Sequence, residues 1–223
     1  MMIKDKHQKL PSYNHAISTL FFLTFLVLFA SFGLAVLFYQ EPFSFWEHAF
    51  SDLGCTVTRQ GKPNLVPRAI YATGMLVEGV LMLQISRQFT GQLKFRNQII
   101  KRDLALLGVV GAVISILPND LYHTIHSIGS GILVGVMYFF TMIFHFEGRQ
   151  QLPRWRVALD IALLQVAVFP YAVAFFANWE SKQSFQKLCL IGIFYALLSI
   201  VSASEQGFKP GEFIRDLSQS QQQ

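Results

Sequence analysis

Residues 16–38 form a run of 23 without one charged side chain. A crossing of the bilayer core takes about 20 residues, so this run is long enough to span. Further apolar runs follow at 69–86, 104–117, 125–146, 157–177 and 188–204. The third is short, and its helix is expected to extend to Asp120 or Leu121. Only 14% of the residues are charged, where a soluble domain has about a quarter. The pattern predicts an all-α, polytopic membrane helix bundle of six transmembrane helices over about 16–38, 69–86, 104–121, 125–146, 157–177 and 188–204. These make one domain, residues 16–205, between a polar tail at 1–15 and a Ser/Gln-rich tail at 206–223 that reads as disordered. The first run is longer than a signal-peptide core of about 7–15 residues and lacks a small-x-small cleavage site, so it reads as a retained span.

With six spans, both ends of the chain lie on one side. Thirteen of the 18 basic residues fall there: Lys4, Lys6, Lys9, Arg87, Lys94, Arg96, Lys101, Arg102, Arg149, Arg154, Arg156, Lys209 and Arg215. Arg59, Lys62, Arg68, Lys182 and Lys187 lie opposite. The bias of Lys and Arg toward cytoplasmic segments predicts cytoplasmic termini; the membrane expected, a separate reading, is a bacterial plasma membrane. The net charge of +5 then reads as a topology signal with attraction to anionic headgroups, and nucleic acid is not expected as a partner.

The longest connection, 40–67, is on the outer side. Phe43, Phe45, Trp46 and Phe50 suit the headgroup belt. Residues 44–53 read as a short helix begun at Phe43 or Ser44 and ended by Gly54. Cys55 and Cys189 both lie toward this side. A bridge is conceivable in an oxidising compartment, and two unpaired thiols are the expectation. In helix four, Ser127, Gly131 and Gly135 recur every four residues, which predicts close helix packing at the bundle centre or a homo-oligomer contact.

Chemistry-bearing residues gather at the same outer side. His48 and Asp52 are spaced i, i+4 and share a face if that stretch is helical. Asp120, His123 and His126 fall on one side of a helix, with Asp120 as the expected N-cap of helix four. A carboxylate beside an imidazole can orient the ring, raise its basicity or complete a metal shell. Three readings stand. The residues lock the helix ends as a polar network. They form a lipid-headgroup or small-ligand site from His48, Ser51, Asp52, Arg68, Asp120, His123 and His126. Or Asp52, Asp120, His123 and His126 form a catalytic centre with a divalent metal.

Glu78 lies halfway through helix two, where a charged carboxylate is costly, with Gln165 as its expected partner. A satisfied buried acid and a proton- or cation-handling group are the two readings. Asp160 and Glu147, beside Arg149, Arg154 and Arg156, read as interface ion pairs. No Gly-x-Ser-x-Gly elbow, phosphate loop or His-Glu-x-x-His is present.

The segment Phe50-Ser51-Asp52-Leu53-Gly54 after a first span resembles the prokaryotic membrane family called domain of unknown function 998. Gly108 and Gly111 in helix three, Asn119 and Asp120 in the outer turn, and His123 or His126 entering helix four look alike too. The Ser-Asp-x-Gly segment, followed here by Pro63 and Pro67, is more distantly similar to the FRAG/DRAM/Sfk group. The likeness covers roughly residues 17–205. The first family has no agreed activity. The second implies autophagy modulation, GPI-anchor lipid remodelling or plasma-membrane lipid organisation. Ceramidase-like membrane hydrolases have seven helices and a His-x-x-x-His in the last, whereas helix six here has no histidine.

The leading expectation is a membrane protein whose outer His/Asp cluster engages lipid headgroups. The alternatives are a membrane-embedded metal-dependent hydrolase or transferase acting on lipid, and a structural or assembly subunit.

Overall fold

The computed structural model describes residues 15–90, 97–148, 152–177, 179 and 181–206. Six α-helices occupy most of them: α1 (His15–Leu37), α2 (Leu65–Thr90), α3 (Gln98–Ile114), α4 (His123–Gly148), α5 (Arg154–Phe176) and α6 (Lys182–Gln206). No strand occurs among the described residues beyond the isolated bridge between Val57 and Pro63. All except α3 are long and apolar enough to cross a membrane, the make-up of an integral membrane protein. The expected disordered tail lies almost wholly outside the described residues.

Lipid is as apolar as leucine, so burial from water does not hold such helices together; close packing and interhelical hydrogen bonds do. Around Phe21 the rings of Phe140 and Phe144 pack edge-on, with centroids 5.2 and 5.5 Å away. Leu164 of α5 and Ile193, Leu197 and Ile200 of α6 join the same core. A second core lies at the other end and gathers Phe32, Phe50, Leu53, Tyr71 and Leu133. The backbones of α3 and α4 approach each other closely. A Cβ on Gly111 would sit 2.9 Å from the Gly129 carbonyl, and one on Gly129 would sit 2.6 Å from Ile114. The Ser127/Gly131/Gly135 stripe does not do this job: a Cβ on Gly131 or Gly135 would meet nothing within 4 Å.

Helix boundaries depart from the apolar runs for identifiable reasons. Pro67 sits in the first turn of α2, where its missing N–H has no helical partner to lose, so the helix starts at Leu65. The third helix ends at Ile114 rather than Asp120 or Leu121. The Ser115 hydroxyl donates back to the Gly111 carbonyl at 2.8 Å. Ile116 and Leu117 then close tight i→i−3 turns onto Val113 and Ile114. Pro118 offers no N–H and bars helix in the residue before it. Residues 44–53 are not one helix either. Only Phe50–Gly54 is helical, as a 3-10 turn called here the cap helix. Ser44 to His48 is a single turn closed by His48 N–H donating to the Ser44 carbonyl at 3.0 Å.

Side chains near the opposite end also pair differently from the sequence expectation. Glu147 accepts from Lys101 and from Asn97, the latter at 2.9 Å, inside the protein. Asp160 accepts from the Ser199 hydroxyl at 2.7 Å and faces His145 at 3.5 Å, joining α4, α5 and α6. Arg149 lies outside the described residues.

Candidate functional site

The α1–α2 connection folds into a cap over one end of the bundle. Asn64, fully buried just before α2, organises it. Its amide nitrogen donates to the carbonyls of Asp52, Leu53 and Cys55 at 3.3, 3.2 and 3.1 Å. Gly54 lies flat on Tyr71; a Cβ there would stand 2.8 Å from the ring. Gly61, at φ 79°, makes the turn that returns the chain to Lys62, whose carbonyl accepts from Thr58 at 2.8 Å.

Each candidate residue can be placed. Asp52 accepts from the Ala49 amide at 3.1 Å and from Arg59 at 3.1 and 2.8 Å. Arg59 also donates to the Glu47 carbonyl. His48 accepts from the Ser44 amide at Nδ1, 3.1 Å, which leaves its Nε2–H facing Glu41 at 3.7 Å. His48 and Asp52 therefore serve different partners. Asp120 is not an N-cap. It reaches across to the first connection and accepts from the Thr56 amide at 3.0 Å, the Thr56 hydroxyl and the Val57 amide. His123 is exposed and bonds Asn119 at 2.9 Å. His126 is buried, and its Nδ1 contacts the Leu117 carbonyl at 2.7 Å. A carbonyl only accepts, so Nδ1 carries the proton. Its Nε2 is buried with no hydrogen-bond partner. Ser51 is half-buried, and its carbonyl accepts from the Cys55 thiol at 3.7 Å. Arg68 is half-buried at the start of α2, with no side-chain partner among the described residues.

Glu78 and Gln165 do not meet. Gln165 pairs with the Tyr138 hydroxyl at 2.9 Å, between α4 and α5. Glu78 is buried in α2 with its Oε2 unpartnered.

Several residues that build the cap escape a reading by motif. Glu41 accepts from the amides of Arg59 and Gln60. Lys187, only 1% exposed, donates to the His48 carbonyl and lies over the rings of Phe45 and Phe50 at 4.9 and 5.5 Å. The Ser184 hydroxyl donates to the Trp46 carbonyl at 2.7 Å, so the first turns of α6 buttress the cap. The signal available in the sequence was opposite charge, Asp52 against Arg59, within one connection.

Burial alone would raise the Glu41 carboxyl. The Thr58 hydroxyl, the Gln60 and Arg59 amides and His48 outweigh it and hold the group below its usual range. Asp120 is lowered in the same way, burial being outweighed by the Thr56 hydroxyl and nearby amides. Burial, then the charges of Asp120 and Asp52, push the Cys55 thiol up to about 12. Cys55 and Cys189 are both free and buried.

Among the described residues no three His, Cys, Asp or Glu side chains stand together closely enough to hold a metal ion. Asp52, Asp120, His123 and His126 thus belong to separate hydrogen-bond sets. Comparison with protein-family models, curated proteins and solved structures finds no match.

Proposed function

We propose that this chain is a six-span membrane protein of the plasma membrane, with cytoplasmic termini, whose cap faces the extracytoplasmic side and engages phospholipid headgroups. The distribution of Lys and Arg supports that orientation. The buried pairing of Lys101 with Glu147 supports α3 as the sixth crossing, because it neutralises the charge at that helix's start.

The observation that carries the lipid reading is the Arg68 guanidinium. Glu41, Asp52, Asp120, Arg59 and Lys187 are engaged by protein. Arg68 is half-buried at the same end, and its guanidinium has no partner among the described residues. A planar guanidinium matches phosphate in a two-bond fork. Trp46, Trp179 and Tyr122 are 62%, 48% and 49% exposed around this end, where amphipathic rings favour headgroup depth. The exposed His123 adds a second donor. The test is native mass spectrometry of protein taken from vesicles containing phosphatidylglycerol. Wild type is expected to retain phospholipid and Arg68→Ala to lose it. Equal retention by both proteins contradicts the reading.

A structural role is the second reading, favoured by the hydrogen bonds through which Asn64, Arg59 and Asp120 tie the cap together. On that reading Arg68→Ala keeps its lipid, while Asn64→Ala, which removes three carbonyl contacts, loosens the fold.

A further inference from the structure

We propose that Glu78 is a proton-binding site inside the bundle, exchanging with water from the cap end. Glu78 sits mid-way along α2 and is 2% exposed. An ionised carboxylate at that depth needs a counter-charge or several donors. Neither is at hand among the described residues. The described side chains of α1 include no charged group. On α3, Lys101, Arg102 and Asp103 cluster in the first turns, with Lys101 held by Glu147 and Arg102 by Asp103. Asp52 of the cap helix is held by Arg59. On α4, Glu147 is taken by Lys101, His145 faces Asp160 and Tyr138 is bonded to Gln165. His126 remains. The species that neutralises Glu78 is therefore a proton, and the step is simple: the carboxylate gains H⁺ to become the acid and returns it to water.

The polarity of the surroundings gives the exchange a direction. Tyr71 lies two turns nearer the cap on the same face of α2, about 10 Å along the axis. Its hydroxyl lies near Ser130, whose own hydroxyl is 3.2 Å from that of Ser115. The His126 ring lies 6.2 Å from Tyr71, with Nε2 buried, unpartnered and free to accept a proton. These are proton-exchanging groups ranged between Glu78 and the cap. Toward the other end, the buried face of α2 continues with Met82, Ile85, Ser86 and Phe89, where Met82, Ile85 and Phe89 share a core with Phe140 and Phe144 and Ser86 is the one buried polar side chain.

Dicyclohexylcarbodiimide, an apolar reagent, tests this directly. A protonated carboxyl adds its O–H across a C=N bond of the reagent, and the product rearranges to a stable N-acylurea. Wild-type protein in sealed vesicles of one orientation is treated over a range of pH, and the adduct is located by peptide mass spectrometry. The expected result is an adduct on Glu78 that falls several-fold as the pH on the cap side is raised and is lost in Glu78→Gln. Location in the wild-type peptide assigns the site even where the variant folds poorly. His126→Gln is expected to slow the response to cap-side pH. No adduct on Glu78 at any pH, or an adduct indifferent to pH, overturns the proposal. A response that follows the opposite side, or is unchanged in His126→Gln, overturns the route.

Discussion

Single side chains decide how the cap holds together, and the linking ones lie far apart in sequence. Asp120 ties the α3–α4 connection to Thr56 and Val57, more than 60 residues earlier. Its spacing from His123 and His126 suggested a shared helical face, but α4 starts only at His123. Spacing reports a face only where the backbone is helical, and Pro118 ends the preceding helical path. The Asp120 linkage has a pH signature. Its folded carboxyl lies below its unfolded value of about 3.9, so its stabilisation is present above that value. It is lost as pH falls through the folded value. Asp120→Asn is expected to lower the thermal midpoint in detergent at neutral pH and to flatten its decline in acid. Acid slopes that match wild type would show that the Thr56 contact adds nothing.

Helices were largely legible because apolar runs without charge can be little else in a bilayer. The α3 terminus was not, since Ile116 and Leu117 prolong the apolar run beyond the point where the backbone turns. The packing surfaces were also hidden, because several glycine patterns compete. Gly131 and Gly135 repeat at the spacing of a helix contact yet face open space, whereas Gly129 takes the close approach to α3. That difference predicts the outcome of adding side chains. Gly129→Val should destabilise by about 1–3 kcal/mol, the usual cost of overpacking. Gly135→Val should stay within about 0.5 kcal/mol of wild type, as for a site free of special contacts. Thermal unfolding of both variants in one detergent compares them; equal losses would mean that the stripe packs as tightly as the α3–α4 seam.

At the scale of the whole molecule, the cap gathers the connections after α1 and α3 and the start of α6 at one end. Thr56 meets Asp120, and Trp46 meets Ser184. The polar candidates in the sequence belong to this end, but how they sort into partners rests on Asn64, Arg59 and Lys187, which carry no motif. The lipid reading and the proton site both depend on which side of the membrane this end faces, and on α3 crossing despite its 17 residues. Cysteine accessibility in intact cells answers both, since Cys55 and Cys189 are buried and leave little background. A membrane-impermeant maleimide should label Gln60→Cys and Tyr122→Cys, and label Thr90→Cys only after permeabilisation. Labelling of Thr90→Cys in intact cells with Gln60→Cys protected, or of Gln60→Cys without Tyr122→Cys, would contradict the account.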